Sequence, residues 1–283
     1  MDMLFAGIDV GSLTAKAAIL NEGEIVSWSV IPTGPDSVKA AGDALDKARL
    51  SASLEMDDLK SIVATGYGRE NVTFSSASVT EISCHAKGTW WFRPEVRTIL
   101  DMGGQDCKAI SCDDKGQVLK FVMNDKCAAG TGRYLERVAR ALELPLEEIG
   151  PTSLNSVSEP VKISAYCTVF AEQEAWGLVR RGVDTADILA GAFDALVRRI
   201  KSLLARNGGI EEEFAISGGV AKNIGIVSRV EAVLSVKAQL AFEPQIVGAV
   251  GAAVFAKDLA LTGAVVGAEP VGISMGAAGA EPV

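Results

Sequence analysis

One pattern, Asp-x-Gly-x4-Lys, occurs twice and limits what this chain can fold into. Asp9, Gly11 and Lys16 recur as Asp101, Gly103 and Lys108, each pair 92 residues apart. Each copy closes an apolar run, LFAGIDVG or VRTILDMGG, and opens a second apolar run that ends at a turn, NEGE or DDKG. A duplicated strand–turn–strand unit signals an internal repeat, so two related lobes are expected. Glycine at each bend lets backbone amides approach a phosphate without a Cβ in the way. Ser12 and Thr14 add hydroxyl donors and Lys16 adds charge. Asp9 and Asp101, each ending a strand, are placed to hold Mg²⁺ through water or to orient an attacking water. Either hairpin alone would read as an ordinary tight turn; a facing pair would clasp a nucleotide's phosphates from both sides. Gln105, just after Gly103 and Gly104, is a second candidate for orienting water, against a plain solvent-facing turn residue.

Between and after the hairpins, helical spacing covers residues 36 to 50, with Val38, Ala41, Leu45 and Ala48 on one face. SIVATGYGREN reads as a strand entering a Gly-rich loop, and EISCHAKGTWWF as a helix. A helix follows Cys127 to about Leu144, then a polar connection rich in Pro and Ser, a segment led by Cys167, and a long helix stopped by Asn207 and Gly208. FAISGGVAKN is a strand running into a third glycine turn, where Gly218 and Gly219 allow close approach of an adenosine or its phosphates. Helices from Ile224 and through GAVGAAVFAKDLAL, with a short strand AQLAFEP between them, complete the pattern. The expected division is residues 1–94, an N-terminal lobe with the first hairpin, and residues 95–262, a C-terminal lobe with the second. The last helix is expected to pack back on the first lobe. Residues 263–283, rich in Gly and Ala with GAEPV repeated, are expected to be a flexible tail.

The net charge of −9, from 36 acidic and 27 basic residues, argues against nucleic-acid or anionic-membrane partners, because no basic stripe is available to neutralise phosphates. It does not argue against a nucleotide, which a few backbone amides hold. The start carries no basic leader, and the apolar stretch 246–256 is too short to span a bilayer. Five cysteines at irregular spacing suggest reduced thiols and a cytoplasmic protein.

Cys127 and Cys167 each stand before a helical run, where free amides and the helix dipole stabilise a thiolate. A [4Fe–4S] cluster takes four cysteines; two per chain would suffice if a two-fold axis presents the same patch twice. Two buried structural cysteines, or a single-chain cluster that recruits Cys107 and Cys112, are the competing readings. Cys84 and His85 lie in an apolar helix with Ile82 and Trp90, which points to packing. A single histidine makes His-based catalysis improbable.

GIDVGSLTAK, ATGYGR, DMGGQDCKAI, MNDKCAAGTGR, CTVFAEQE and SGGVAKN, in this order across Gly7 to Leu261, together resemble the ATPase family of 2-hydroxyacyl-CoA dehydratase activators and benzoyl-CoA reductase ATPase subunits. The resemblance implies an α/β, two-lobed actin/Hsp70-like (ribonuclease H-like) fold of the sugar-kinase superfamily. It implies ATP/ADP and Mg²⁺ in the cleft, and Ser12, Leu13, Thr14, Ala15 and Lys16 as the phosphate loop. Gly218 and Gly219 become the adenosine-side turn, and Cys127 and Cys167 the ligands of a [4Fe–4S] cluster shared between two subunits. The implied partners are a second copy or a paralogous subunit, an acyl-CoA reductase or dehydratase as electron acceptor, and a ferredoxin or flavodoxin as electron source. The wording DMGGQDCKAI favours a benzoyl-CoA reductase subunit; a free-standing dehydratase activator is the alternative. From a different class, a small-molecule kinase of the same fold gives no reason for the two cysteines, and a redox sensor gives none for turnover.

Overall fold

The computed structural model describes residues 3–124, 130–164, 166–211 and 213–264. In chain order the elements are β1 (Leu4–Val10), β2 (Thr14–Asn21), β3 (Glu24–Pro32), α1 (Ser37–Ser51), β4 (Leu59–Thr65), β5 (Ala77–Ser78) and α2 (Glu81–Phe92). The second half contributes β6 (Val96–Met102), β7 (Cys107–Cys112), β8 (Val118–Met123), α3 (Gly132–Ala141), α4 (Ile149–Ser153), α5 (Thr168–Arg180) and α6 (Thr185–Arg206). It continues with β9 (Glu213–Ser217), α7 (Ile224–Leu234), β10 (Ala238–Gln239) and α8 (Val247–Thr262).

The duplication is visible in the topology. The sheets run β3-β2-β1-β4-β5 and β8-β7-β6-β9-β10, one plan used twice. In each, the central strand pairs antiparallel with its hairpin partner and parallel with the later strand. The registers repeat as well: Asp9 faces Lys16 across the first hairpin, and Asp101 faces Lys108 across the second. β1 is buried at all seven positions, which explains why its sequence is a continuous apolar run, as buried parallel strands require.

Five layers result. α1 covers one face of the first sheet with Ala40, Ala41, Ala44, Leu45 and Ala48. Val38, expected on that face, lies in the first turn and is exposed. Asp36 caps α1 by accepting from the Lys39 amide at 3.0 Å, a typical N-cap contact. α8 covers the other face of the first sheet, and α2 covers the second sheet, with Ile82 and Ala86 against Ile99, Ile110 and Val118. α2 and α8 pack on each other between the sheets. α3, α5, α6 and α7 build the largest core on the far side of the second sheet. The polar connection hides a single turn, α4, whose Ile149 and Ser153 are buried. Pro151 sits in its first turn, where proline is tolerated.

Small residues set the middle-layer spacing. A Cβ on Gly7 would collide with the Ala249 carbonyl, one on Gly88 with the Val247 carbonyl, and one on Gly251 with the Cys84 carbonyl. With its preceding turn, α8 runs Pro244–Thr262, long and apolar enough by composition to cross a bilayer, yet more than half of that segment is buried inside the fold. The helix therefore exceeds the 246–256 stretch noted in the sequence, and its apolar character is that of a core helix. Gly263, at φ 73°, ends it in the left-handed conformation. The rest of the tail, from residue 265, lies outside the described residues.

One substitution should act with opposite signs at two helical glycines. Gly251→Ala should destabilise by about 1–3 kcal/mol, because the methyl meets a backbone carbonyl that cannot swing away. Gly42→Ala in α1, where a Cβ meets nothing within 4 Å, should stabilise by roughly 0.4–1 kcal/mol. Urea unfolding midpoints of the two variants check the contrast; equal shifts would contradict the close-packed middle layer.

Candidate functional site

A cleft of about 630 Å³ opens between the sheets and is lined by both hairpins. The first contributes Asp9, Gly11, Ser12, Leu13, Thr14 and Lys16; the second contributes Asp101, Gly103, Gly104, Asp106 and Lys108. The bends are built alike: the Gly11 amide donates to the Thr14 carbonyl at 3.0 Å, and the Gly103 amide to the Asp106 carbonyl at 2.9 Å. They also meet, since a Cβ on Gly104 would occupy the space of the Leu13 side chain. Gly218, Gly219, Val220, Lys222, Ile224 and Gln245 form a further wall. Two expected residues lie elsewhere. Ala15 faces the core of the first sheet, and Gln105 is exposed at the bend without lining the cleft. Asp106, its neighbour, is the side chain turned inward.

The repeat extends to a pair of glycines that the 92-residue spacing hides. Gly66, after β4, and Gly218, after β9, have φ of +86° and +85°. A Cβ on Gly66 would lie 2.6 Å from Asp9 Oδ1, and one on Gly218 would lie 2.9 Å from Asp101 Oδ1. Each parallel strand thus ends in a left-handed glycine against the carboxylate of its central strand. Thr65-Gly66 and Ser217-Gly218 are the sequence trace, obscured because the insertions between strands differ in length.

The charges of the two hairpins are paired. Lys16 Nζ donates to Asp9 Oδ2 at 2.9 Å. Lys108 Nζ, almost wholly buried, bonds Asp106 Oδ2 and lies 3.6 Å from Asp101 Oδ2. Burial by itself would lower the Lys108 pKa, but the Asp101 and Asp106 charges prevail and hold it above the usual lysine range. Burial works against ionisation of Asp106 too, yet Lys108 and the Tyr67 hydroxyl keep its pKa below the normal carboxylate value. Tyr67 reaches in from the Gly-rich loop after β4 and donates to Asp106 Oδ2 at 2.9 Å. Its own phenol is pushed up to about 12, first by burial and then by the Asp106 charge.

His85 corrects the packing reading drawn from its apolar helix. It lines the cleft, with Nδ1 3.1 Å from both Ser217 Oγ and Asp101 Oδ1. Sequence periodicity places it on a buried face, and nothing in the sequence says that this face borders the carboxylates of both halves.

Of the cysteines, Cys84, Cys107 and Cys112 are buried. Burial pushes all three thiols up, Cys112 to about 11, so they are poor sources of a ligating thiolate. Cys167 is partly exposed and is the N-cap residue of α5. Cys127 lies outside the described residues. The helix after it, α3, uses its first amides elsewhere: Gly132 N–H donates to Gly103 O at 3.0 Å, Arg133 N–H to Gly104 O at 2.9 Å, and Thr131 Oγ1 to Gly104 O at 3.0 Å. The α3 N-terminus is therefore fastened to the second hairpin. α3 in turn packs on α5, with Arg137 and Glu172 paired at 2.7 Å.

Among the described residues no cluster of three or more His, Cys, Asp or Glu side chains can hold a metal alone. Asp9 and Asp101 are carboxylates lining the cleft, the type of group that binds Mg²⁺ together with substrate phosphates.

The sequence model of the BadF/BadG/BcrA/BcrD ATPase family matches residues 6–256. The chain is 45% identical to the activator of lactoyl-CoA dehydratase from Anaerotignum propionicum, covering 91% of this chain and 99% of that one. A solved activator of the 2-hydroxyisocaproyl-CoA dehydratase from Clostridium difficile, with bound ADPNP, is 40% identical and superposes with a TM-score of 0.87 over 92% of this chain and 96% of its own. A benzoyl-CoA reductase subunit from Thauera aromatica is 30% identical over 88% of this chain and 92% of its own. The preference for the reductase branch drawn from DMGGQDCKAI is thus reversed: similarity favours the dehydratase activators. A glucokinase from Streptomyces griseus, at 14% identity and a TM-score of 0.52, shares the fold, which is the two-lobed actin and sugar-kinase architecture expected.

Lys108→Met should cost about 3–5 kcal/mol at neutral pH, because it leaves buried carboxylate unpaired. The deficit should shrink on acidification. In the wild type the contribution of Asp106, whose pKa is depressed, is lost as pH falls through its folded value. In the variant the unpaired acid takes up a proton readily and is relieved. Unfolding free energies between neutral and acidic pH check this; a deficit independent of pH would contradict the buried ion cluster.

Proposed function

The chain belongs to the BadF/BadG/BcrA/BcrD ATPase family, and we propose that this protein hydrolyses ATP to drive low-potential electrons into a 2-hydroxyacyl-CoA dehydratase. Its site in the cell on this reading is the cytoplasm. The observation that carries the reading is the connection between cleft and cysteine: the second hairpin holds the first amides of α3, and α3 packs on the helix that Cys167 opens.

ATP enters with its phosphates between the two glycine bends and its adenosine side against Gly218 and Gly219. Asp9 and Asp101 would hold Mg²⁺, which would supply neutralisation of phosphate charge. Ser12 and Thr14 donate hydroxyls to the phosphates. Lys16 and Lys108 fix the carboxylate orientations through their ion pairs. Gln105 reaches the cleft only if its loop turns inward on nucleotide binding, so Asp101 is the better candidate for orienting the attacking water. Cys127 and Cys167 from each of two copies would hold one [4Fe–4S] cluster, a group that would supply one-electron chemistry there. A reduced ferredoxin or flavodoxin supplies the electron. A kinase of the same fold would leave the partly exposed Cys167 and the fastening of α3 without a purpose.

Asp9→Asn and Asp101→Asn should each lower ATP turnover at least about a hundredfold while leaving the chain folded. Cys127→Ser or Cys167→Ser should remove the iron, about four atoms per dimer in the anaerobic wild type, yet preserve nucleotide binding. Phosphoryl transfer to a sugar or another small molecule in place of water, or iron retained in both cysteine variants, would overturn the assignment.

A further inference from the structure

His85 is the chain's single histidine. It is buried on α2, in the layer between the sheets, with Asp101 beside it and Asp9 across a small space. On one side Ser217 Oγ donates to Asp101 Oδ1 at 2.9 Å, and His85 Nδ1 is 3.1 Å from both of those oxygens. The Ser217 hydroxyl has one hydrogen, and Asp101 takes it. Both oxygens facing Nδ1 are therefore acceptors, so Nδ1 carries the proton. In the neutral ring Nε2 is then an unprotonated acceptor.

Nε2 faces the other half. A Cβ on Gly248 of α8 would lie 2.9 Å from Nε2 and 3.1 Å from Asp9 Oδ2. The imidazole and the first carboxylate thus border one small space, kept open because residue 248 has no side chain. Lys16 also holds Asp9 Oδ2, at 2.9 Å. Ser217 and His85 occupy Oδ1 of Asp101, which leaves Oδ2 toward Lys108.

Resting on the ATPase reading above, we propose that His85 is a positioning residue of the nucleotide cleft. Its Nδ1–H orients Asp101, and its body fixes the spacing between Asp101 on β6 and Asp9 on β1. The role follows from where α2 sits. A side chain on either sheet would move with that sheet, whereas His85, on the middle layer, meets Asp101 directly and borders the space beside Asp9.

Two measurements test this. In chain labelled with ¹⁵N-histidine and purified without a histidine tag, only one imidazole reports. Its nitrogen shifts should place the proton of the neutral ring on Nδ1; a neutral ring protonated on Nε2 would overturn the proposal whether or not ATP is turned over. In steady-state ATPase assays, His85→Ala should lower kcat roughly tenfold to a hundredfold, with ATP affinity changed less than about threefold. Asparagine places its amide nitrogen at the bond distance of Nδ1, and glutamine at that of Nε2. His85→Asn should therefore recover kcat to within about threefold of wild type, and His85→Gln should not. Wild-type turnover in His85→Ala, or better rescue by Gln than by Asn, would refute the role. A thermal midpoint lowered equally in the Ala and Asn variants, with equal loss of kcat, would reduce His85 to packing. Absence of ATP turnover in the wild type would instead strike at the ATPase reading, and the tautomer measurement would still decide the geometry.

Discussion

An ammonium shut away from water holds the cleft floor together. Removing such an ion from solvent costs several kcal/mol, so Lys108 is tolerable only because Asp101 and Asp106 both face it. Asp106 is in turn held by Tyr67, which comes from the loop of the first sheet. The buried charge therefore fixes the second hairpin and ties it to the other half of the chain. The first hairpin carries the simpler version, one lysine on one carboxylate with somewhat more access to water. The two bends share a register but differ in rigidity.

That asymmetry gives a physical route from cleft to cysteine. The carbonyls of Gly103 and Gly104 satisfy the first amides of α3, groups that would otherwise be orphaned at a helix start. A nucleotide that shifts the second hairpin must carry α3 with it or break three hydrogen bonds, each worth about 0.5–1.5 kcal/mol net. α3 presses on α5, and Cys167 sits at the head of α5. The amides at the head of α3, which the sequence offered as a seat for a thiolate, instead serve as the joint between the second hairpin and the helix.

Much of this could be read from the chain. The repeated Asp, Gly and Lys give both hairpins and their register, because a β-hairpin of fixed turn length pairs fixed positions. The apolar runs give the central strands, and the Asn-Gly stop gives the end of α6. Other features could not be read because they depend on how distant segments meet. The partnership of Gly66 with Gly218 is masked by unequal insertions. α4 is too short to show a period. His85 looks like a core residue because its neighbours Ile82, Cys84 and Ala86 are apolar and buried, and only the stacking of α2 between two sheets turns one of its faces toward Asp9 and Asp101. The inward turn of Asp106 rather than Gln105 is decided by Lys108 on the following strand and by Tyr67 from a loop of the other half.

Electron delivery that depends on ATP hydrolysis is the claim on which everything else converges. The direct measurement is anaerobic: the chemically reduced protein is mixed with an oxidised 2-hydroxyacyl-CoA dehydratase, and reduction of that partner is followed with ATP, with ADP, and with a non-hydrolysable ATP analogue. Reduction with ATP alone, accompanied by phosphate release, is expected. Equal reduction in all three conditions, or phosphate release with no electron transferred, would contradict a cleft that drives the cysteine-bearing helices.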